Sequence, residues 1–319
     1  MKKTFIVLMM LLLSAMLIIS CKSDPKNGGS SGDGGSSGDG GSSAKPKIIN
    51  ITYDVNGGEL EFEDCNPSSA TEGDNINLVA PTRETESLTG VEYSINDSLY
   101  CTSADVVNNY TFKGWKAEGT DDSTASDYFT VGSEDVKLVA VWDVTSTGSN
   151  YSGIKLKDTV TVGTVIELGN YNESENDIKW TVLNVDKTNK KALLFSTECI
   201  VQAMQNSTSE TSYFWGNGSP SPIYQWLNNT GSSGFVSQCK LGNVSMVDYS
   251  AGKVFLLSKE EFNTYVKNSS AKTCTFYWWL RTGGSGTGQC LKVYPSGDIL
   301  DGKLANSTCG VRPAFWISL

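Results

Sequence analysis

The sequence predicts a mostly β protein with short helices (α+β), on three observations. Apolar and polar residues alternate along residues 49–55, which run into the tight-turn signal Asn56-Gly57-Gly58. Residues 178–185 and 191–196 likewise read as a hairpin around residues 186–190. Apolar runs of strand length recur at residues 136–142 and 253–257. Helix signals, by contrast, are few and short. Ser221 before Pro222 caps a helix with Ile223, Trp226 and Leu227 on one face, and Ser258-Lys259-Glu260-Glu261 is a capping box for a helix reaching Val266. A strand around residues 291–294, turning at 295–298, comes near the end.

Composition narrows the chemistry. The chain has 319 residues, 39% of them hydrophobic, enough for one or two cores. Lys and Arg total 25 against 35 for Asp and Glu, a formal charge of -10. With no basic cluster beyond pairs such as Lys190-Lys191, nucleic acid is not an expected partner. There is no histidine. That excludes His-ligated metal sites, Ser-His-Asp and Cys-His nucleophile systems and imidazole acid–base catalysis. Neither a cofactor nor a metal is expected. For calcium, Asp298, Asp301 and Asn306 are too few and too scattered in kind.

The amino terminus reads as an export signal. Lys2 and Lys3 precede an apolar stretch over residues 5–19, too short for a comfortable membrane span. It ends in Leu17-Ile18-Ile19-Ser20-Cys21. This resembles the lipobox of bacterial lipoproteins, in a relaxed form with Ile at the third position before the cysteine. The resemblance implies that residues 1–20 are removed and that Cys21 is acylated, anchoring the chain to a membrane of the bacterial envelope and exposing it at the surface. Removing two lysines makes the remaining balance 23 minus 35, or -12. Residues 21–47 then form a Gly/Ser/Asp tether in which GGSSGD repeats; a coil of ~25 such residues has an end-to-end distance of about 27 Å.

Residues 48–143 follow. Their strand ends in Asp54-Val55-Asn56-Gly57-Gly58, and Pro81-Thr82-Arg83, Tyr110-Thr111-Phe112-Lys113-Gly114-Trp115 and Ala140-Val141-Trp142 come after it in order. This set resembles the internalin-type B-repeat of bacterial surface proteins. The resemblance implies a small β-grasp-like module serving as a stalk or adhesive spacer. Trp115 and Trp142 read as core, because aromatic side chains bury area well in small sheets. Residues 84–109 depart from the pattern as a long insertion.

In residues 152–319 the pieces Leu168-Gly169-Asn170-Tyr171, Ile178-Lys179-Trp180-Thr181-Val182-Leu183, Trp226-Leu227-Asn228, Val254-Phe255-Leu256-Leu257-Ser258, Trp278-Trp279-Leu280-Arg281 and Gly310-Val311-Arg312-Pro313-Ala314 appear in order. They resemble an uncharacterised bacterial domain family. The ending is also similar to the closing strands of the C-type-lectin-like fold used by formylglycine-generating-type domains and surface lectins. The catalytic metal systems of that fold class do not fit, because the chain lacks histidine and has Pro313 and Ala314 where a copper-binding cysteine would stand.

Candidate ligand-binding residues follow from loop position and composition: Tyr213 and Trp215 in an aromatic, turn-rich segment, then Tyr277, Trp278, Arg281, Tyr294, Asp298 and Asp301 around the last strands. Trp278 and Trp279 point to opposite faces of a strand, so one is expected in the core and the other open to ligand. Residues 283–288 are glycine-rich without the ending of a phosphate loop, and read as a mobile wall of the binding face. Arg312 reads as structural. Cys65 is expected to pair with Cys101, with one more pair among Cys274, Cys290 and Cys309. No catalytic residues are assigned, and the chain is not expected to be an enzyme. The expectation is a lipid-anchored surface protein whose terminal domain binds a protein or carbohydrate, the alternative being a non-catalytic envelope structural or assembly protein.

Overall fold

The computed structural model describes residues 45–171, 176–205, 215 and 220–319. Cys21 and Tyr213 therefore lie outside the described residues. The chain is mostly β. Residues 47–319 make one compact unit.

The first part contains β1 (Ile48–Asp54), β2 (Ser69–Thr71), β3 (Asn75–Asn77), β4 (Glu86–Ser94), β5 (Leu99–Ala117), β6 (Tyr128–Thr130) and β7 (Val136–Leu156). The strand order is β2-β1-β7-β5-β4, with β1 parallel to β7 and β3 pairing separately with β6. The alternation in β1 buries Ile49 and Ile51 against Trp115, Leu138 and Ala140. Trp115 is buried, whereas Trp142 is half-buried at the edge of this core and its Nε1 donates to Val55 O at 3.2 Å. Gly114 has φ +146, and a Cβ there would lie 2.6 Å from Ser126 N. The bulge between Phe112 and Gly114 therefore needs glycine.

Residues 84–109 are the main surprise. They form β4 and the front of β5, and β5 stays paired with β7 from Leu99↔Leu156 to Ala117↔Leu138. Cys101, Ala104 and Val106 form a second small core within this ribbon. β7 continues past Trp142 to Leu156.

The second part holds β8 (Val165–Glu167), β9 (Lys179–Asp186), β10 (Lys191–Ser196), β11 (Val201–Met204), α1 (Pro222–Asn228), α2 (Phe235–Gln238), β12 (Met246–Val247), β13 (Val254–Phe255), α3 (Lys259–Glu261), β14 (Trp278–Gly283), β15 (Gln289–Val293), β16 (Ile299–Leu304), β17 (Thr308–Val311) and β18 (Ala314–Ser318). One sheet runs β12-β18-β10-β9-β8, with β13 also on β18; the other runs β11-β17-β14-β15-β16. The predicted caps form as read. Ser221 Oγ accepts from Tyr224 N, and Ser258 with Glu261 completes the capping box, followed by a π-helical turn over Phe262–Val266.

The ribbon enters this second part. Leu99 and Leu156 belong to the same core as Trp180, Leu194 and Phe315. Ile154 N donates to Asn243 O, and Ser245 N to Ile154 O, both at 2.8 Å. Among the described residues no helix is long and apolar enough to cross a membrane.

Candidate binding site

β14 is the axis on which the predicted residues divide. Trp278 and Trp279 are both fully buried, because each face of the strand meets a core: Trp279 packs with Trp180 and Phe315, Trp278 with Phe195 and Phe262. The expectation that one of them opens to ligand is thus corrected, and Trp278 is unavailable as a ligand contact. Among the described residues its Nε1 has no hydrogen-bond partner.

Past Trp279, Arg281 is committed internally. It makes a bidentate ion pair with Glu261, donating Nη2 to Oε1 at 2.8 Å and Nη1 to Oε2, and Nη1 also donates to Leu256 O at 2.7 Å. Glu261 further accepts from Ser258 N and from the Tyr249 hydroxyl. Arg281 thereby fastens β14 to the capping box. The glycine-rich connection is pinned as well. Asp301 Oδ1 accepts from Ser285 N at 2.9 Å and Gly302 N at 2.6 Å, bonds that hold its carboxyl below the usual range. Gly284 N donates to Gln289 O at 2.7 Å. Trp215 donates Nε1 to Ala251 O at 2.7 Å and meets Tyr224 edge to face. Arg281, Asp301 and Trp215 are thus explained by the fold.

At the start of β14, Tyr277, Tyr294 and Asp298 do come together. Tyr277 is 40% exposed and its ring centroid lies 4.9 Å from that of Tyr294, tilted by 55°. Lys292 is buried beneath, its Nζ 3.9 Å from the Tyr277 centroid and 5.6 Å from that of Tyr294. Tyr294 N donates to Asp298 O across the turn, and Ser296 Oγ donates to Asp298 Oδ2. Phe276, 49% exposed, extends the aromatic surface. Sequence reading missed it, although its place beside Tyr277 was visible.

This surface borders a cavity of about 330 Å³ lined by Tyr171, Asn176, Asp177, Ile178, Lys179, Thr197, Glu198, Cys199 and Ile200. The seam between them is made by Glu198 and two thiols. Cys199 Sγ and Cys274 Sγ are 3.2 Å apart, and Glu198 Oε2 accepts from Cys274 Sγ at 3.3 Å and Thr275 Oγ1 at 3.4 Å. Sequence reading missed Cys199 as the neighbour of Cys274. The expected pairings are corrected too. Cys65 and Cys101 are not joined, since Cys101 is sealed in the ribbon core, and Cys274 and Cys290 are likewise thiols.

Beneath the thiols lies Arg312, completely buried over the rings of Phe195 and Trp278. Nε and Nη2 donate to Ser196 O, Nη2 to Thr197 O and Nη1 to Ala271 O, at 2.8–3.0 Å. Burial lowers its pKa to about 10. Among the described residues no carboxylate forms an ion pair with it. The hydrogen bond from the Cys199 thiol, aided by Arg312, brings Cys274 down to about 6, and the same bond pushes Cys199 up. Gly310 completes the corner: a Cβ there would lie 2.2 Å from Cys199 Sγ.

Among the described residues no group of three Cys, Asp or Glu side chains is placed to hold a metal ion. Residues 165–319 match the family model described as a domain of unknown function (DUF6273). No curated protein and no solved structure matches the chain.

Proposed function

We propose that this is a bacterial cell-envelope lipoprotein, anchored through Cys21, whose C-terminal part binds a protein or carbohydrate ligand without catalysing a reaction. The aromatic surface of Phe276, Tyr277 and Tyr294 over Lys292 carries this reading. Large aromatic side chains that stay exposed while the surrounding strands are sealed offer stacking area at little entropic cost. A buried cation beneath the rings holds them in place. Asp298, fixed by Ser296, adds an acceptor at the rim.

The parallel β1–β7 pairing supports the B-repeat-like, β-grasp reading of residues 48–143. The return of the last strand, β18, to pair with the early β10 supports the C-type-lectin-like reading of residues 152–319. The continuous β5–β7 ribbon suits a spacer, because it transmits position from tether to binding surface where a flexible linker would lose it. The test is an array of glycans and matrix proteins probed with the folded chain. Saturable binding is expected. Silence on the array, together with recovery of a stoichiometric envelope protein from native membranes, would replace this reading with an envelope-assembly role.

A further inference from the structure

We propose that Cys199 and Cys274 form a redox-active dithiol that exchanges with low-molecular-weight organic disulfides admitted by the cavity beside Cys199. The two thiols lie 75 residues apart in sequence, yet their sulfurs are 3.2 Å apart. A disulfide needs about 2.05 Å, so a closure of roughly 1.2 Å makes the bond. Both residues sit on connections, Cys199 between β10 and β11 and Cys274 just before β14, where such a shift does not break a ladder.

Access and charge support reactivity. Cys199 is partly exposed and lines the cavity, whereas Cys239 and Cys290 are enclosed in the core. Arg312 is a buried cation whose hydrogen bonds go to carbonyl groups, and buried charge favours a counter-charge close by. A thiolate shared between the two sulfurs supplies it. Exchange then proceeds in two displacements. Cys199 passes its proton to Cys274, whose sulfur lies 3.2 Å away, and attacks one sulfur of the small disulfide, forming a mixed disulfide and releasing one thiol. Cys274 sulfur attacks Cys199 sulfur, closing the protein disulfide and releasing the second thiol. Two protein S–H bonds and one external S–S bond break; one protein S–S bond and two S–H bonds form. The dithiol is oxidised by two electrons and the small disulfide reduced by two. This inference does not depend on the ligand-binding reading.

The test uses the full-length chain with Cys21→Ser, kept in detergent, reduced and freed of reductant. It is titrated with bis(2-hydroxyethyl) disulfide at pH 7, alkylated, and mapped by peptide mass. The expected result is loss of two alkylatable thiols, a linked Cys199–Cys274 peptide, and full recovery of both thiols on adding dithiothreitol. Cys274→Ser should accumulate a stable mercaptoethanol adduct on Cys199. Continued alkylation of Cys239 and Cys290 only after denaturation shows that the fold is intact, and the wild-type mapping stands without the variant. Cys199 and Cys274 remaining reduced while Cys65 reacts would overturn the proposal. So would a bond between them that resists excess dithiothreitol in the folded chain, since that would be a static cross-link.

Discussion

Replacing Arg312 with methionine removes the forked donor while keeping most of the apolar stem's volume. Three buried carbonyls, those of Ser196, Thr197 and Ala271, lose four hydrogen bonds at once. An unpaired buried acceptor costs about 1–3 kcal/mol, so three cost roughly 3–9 kcal/mol. The buried cation's own desolvation is no longer incurred and offsets about 2–4 kcal/mol, leaving a net loss of about 1–5 kcal/mol. Urea unfolding of the reduced protein should show this as a lower midpoint with an unchanged slope. Arg312→Lys keeps the charge but cannot span the same three acceptors, and should fall between. In the same Met variant, thiol alkylation at pH 6–7 should slow, because the cation that favours a thiolate is gone. A loss below about 1 kcal/mol for Arg312→Met would refute the reasoning, since surface-like positions behave that way.

Other expectations follow from the same corner and from the ribbon. Reduced protein should gain stability as pH climbs from about 6 to about 9, because Cys274 is depressed in the folded state and its contribution is lost as pH falls through 6. Above about 9 stability should decline, because the raised Cys199 keeps its proton while the unfolded chain releases it. Thermal melts across that range, compared with a Cys199→Ser/Cys274→Ser double variant that shows neither slope, check the sign. Gly310→Ala should cost about 1–3 kcal/mol by overpacking against Cys199 Sγ and should slow disulfide closure, read by urea titration and by the mapping above. Leu156→Ala should cost about 2–5 kcal/mol. Calorimetry should show one transition for residues 47–319 moving down by about 2 °C per kcal/mol; two transitions with only one displaced would show that the ribbon does not couple its ends.

Local signals in the sequence carried well. The hairpin around residues 186–190, the Ser221 cap and the capping box at Ser258 each depend on neighbours within a few residues, and each forms. What was not legible depends on distant partners. The ribbon's β4 and the front of β5 read only as an insertion because their residues are mixed Ser, Thr, Asn and Val, half-exposed on a narrow sheet with no strong apolar period. Trp278 and Trp279 alternate as strand residues should, but whether both faces are covered is a tertiary matter, and two separate cores cover them. Arg281 and Asp301 look available in a glycine-rich context, yet Glu261 and the backbone of Ser285 take them. Cys199 meets Cys274 only because β17 lies parallel to β14 and Gly310 leaves room for a sulfur. The clue was the small residue in Gly310-Val311-Arg312, next to an arginine with no nearby acid in sequence.

The most direct test of ligand binding is a titration of the strongest array ligand against the wild-type chain and a Tyr277→Ala/Tyr294→Ala variant, with Tyr128→Ala, an exposed aromatic residue of the first part, as a control. Truncating stacked aromatic side chains at the centre of a site typically costs 2 kcal/mol or more, so the double variant should bind at least ~30-fold more weakly while the control binds as wild type. Equal affinity for all three proteins, with the double variant folded, would contradict the assignment of this surface as the binding site.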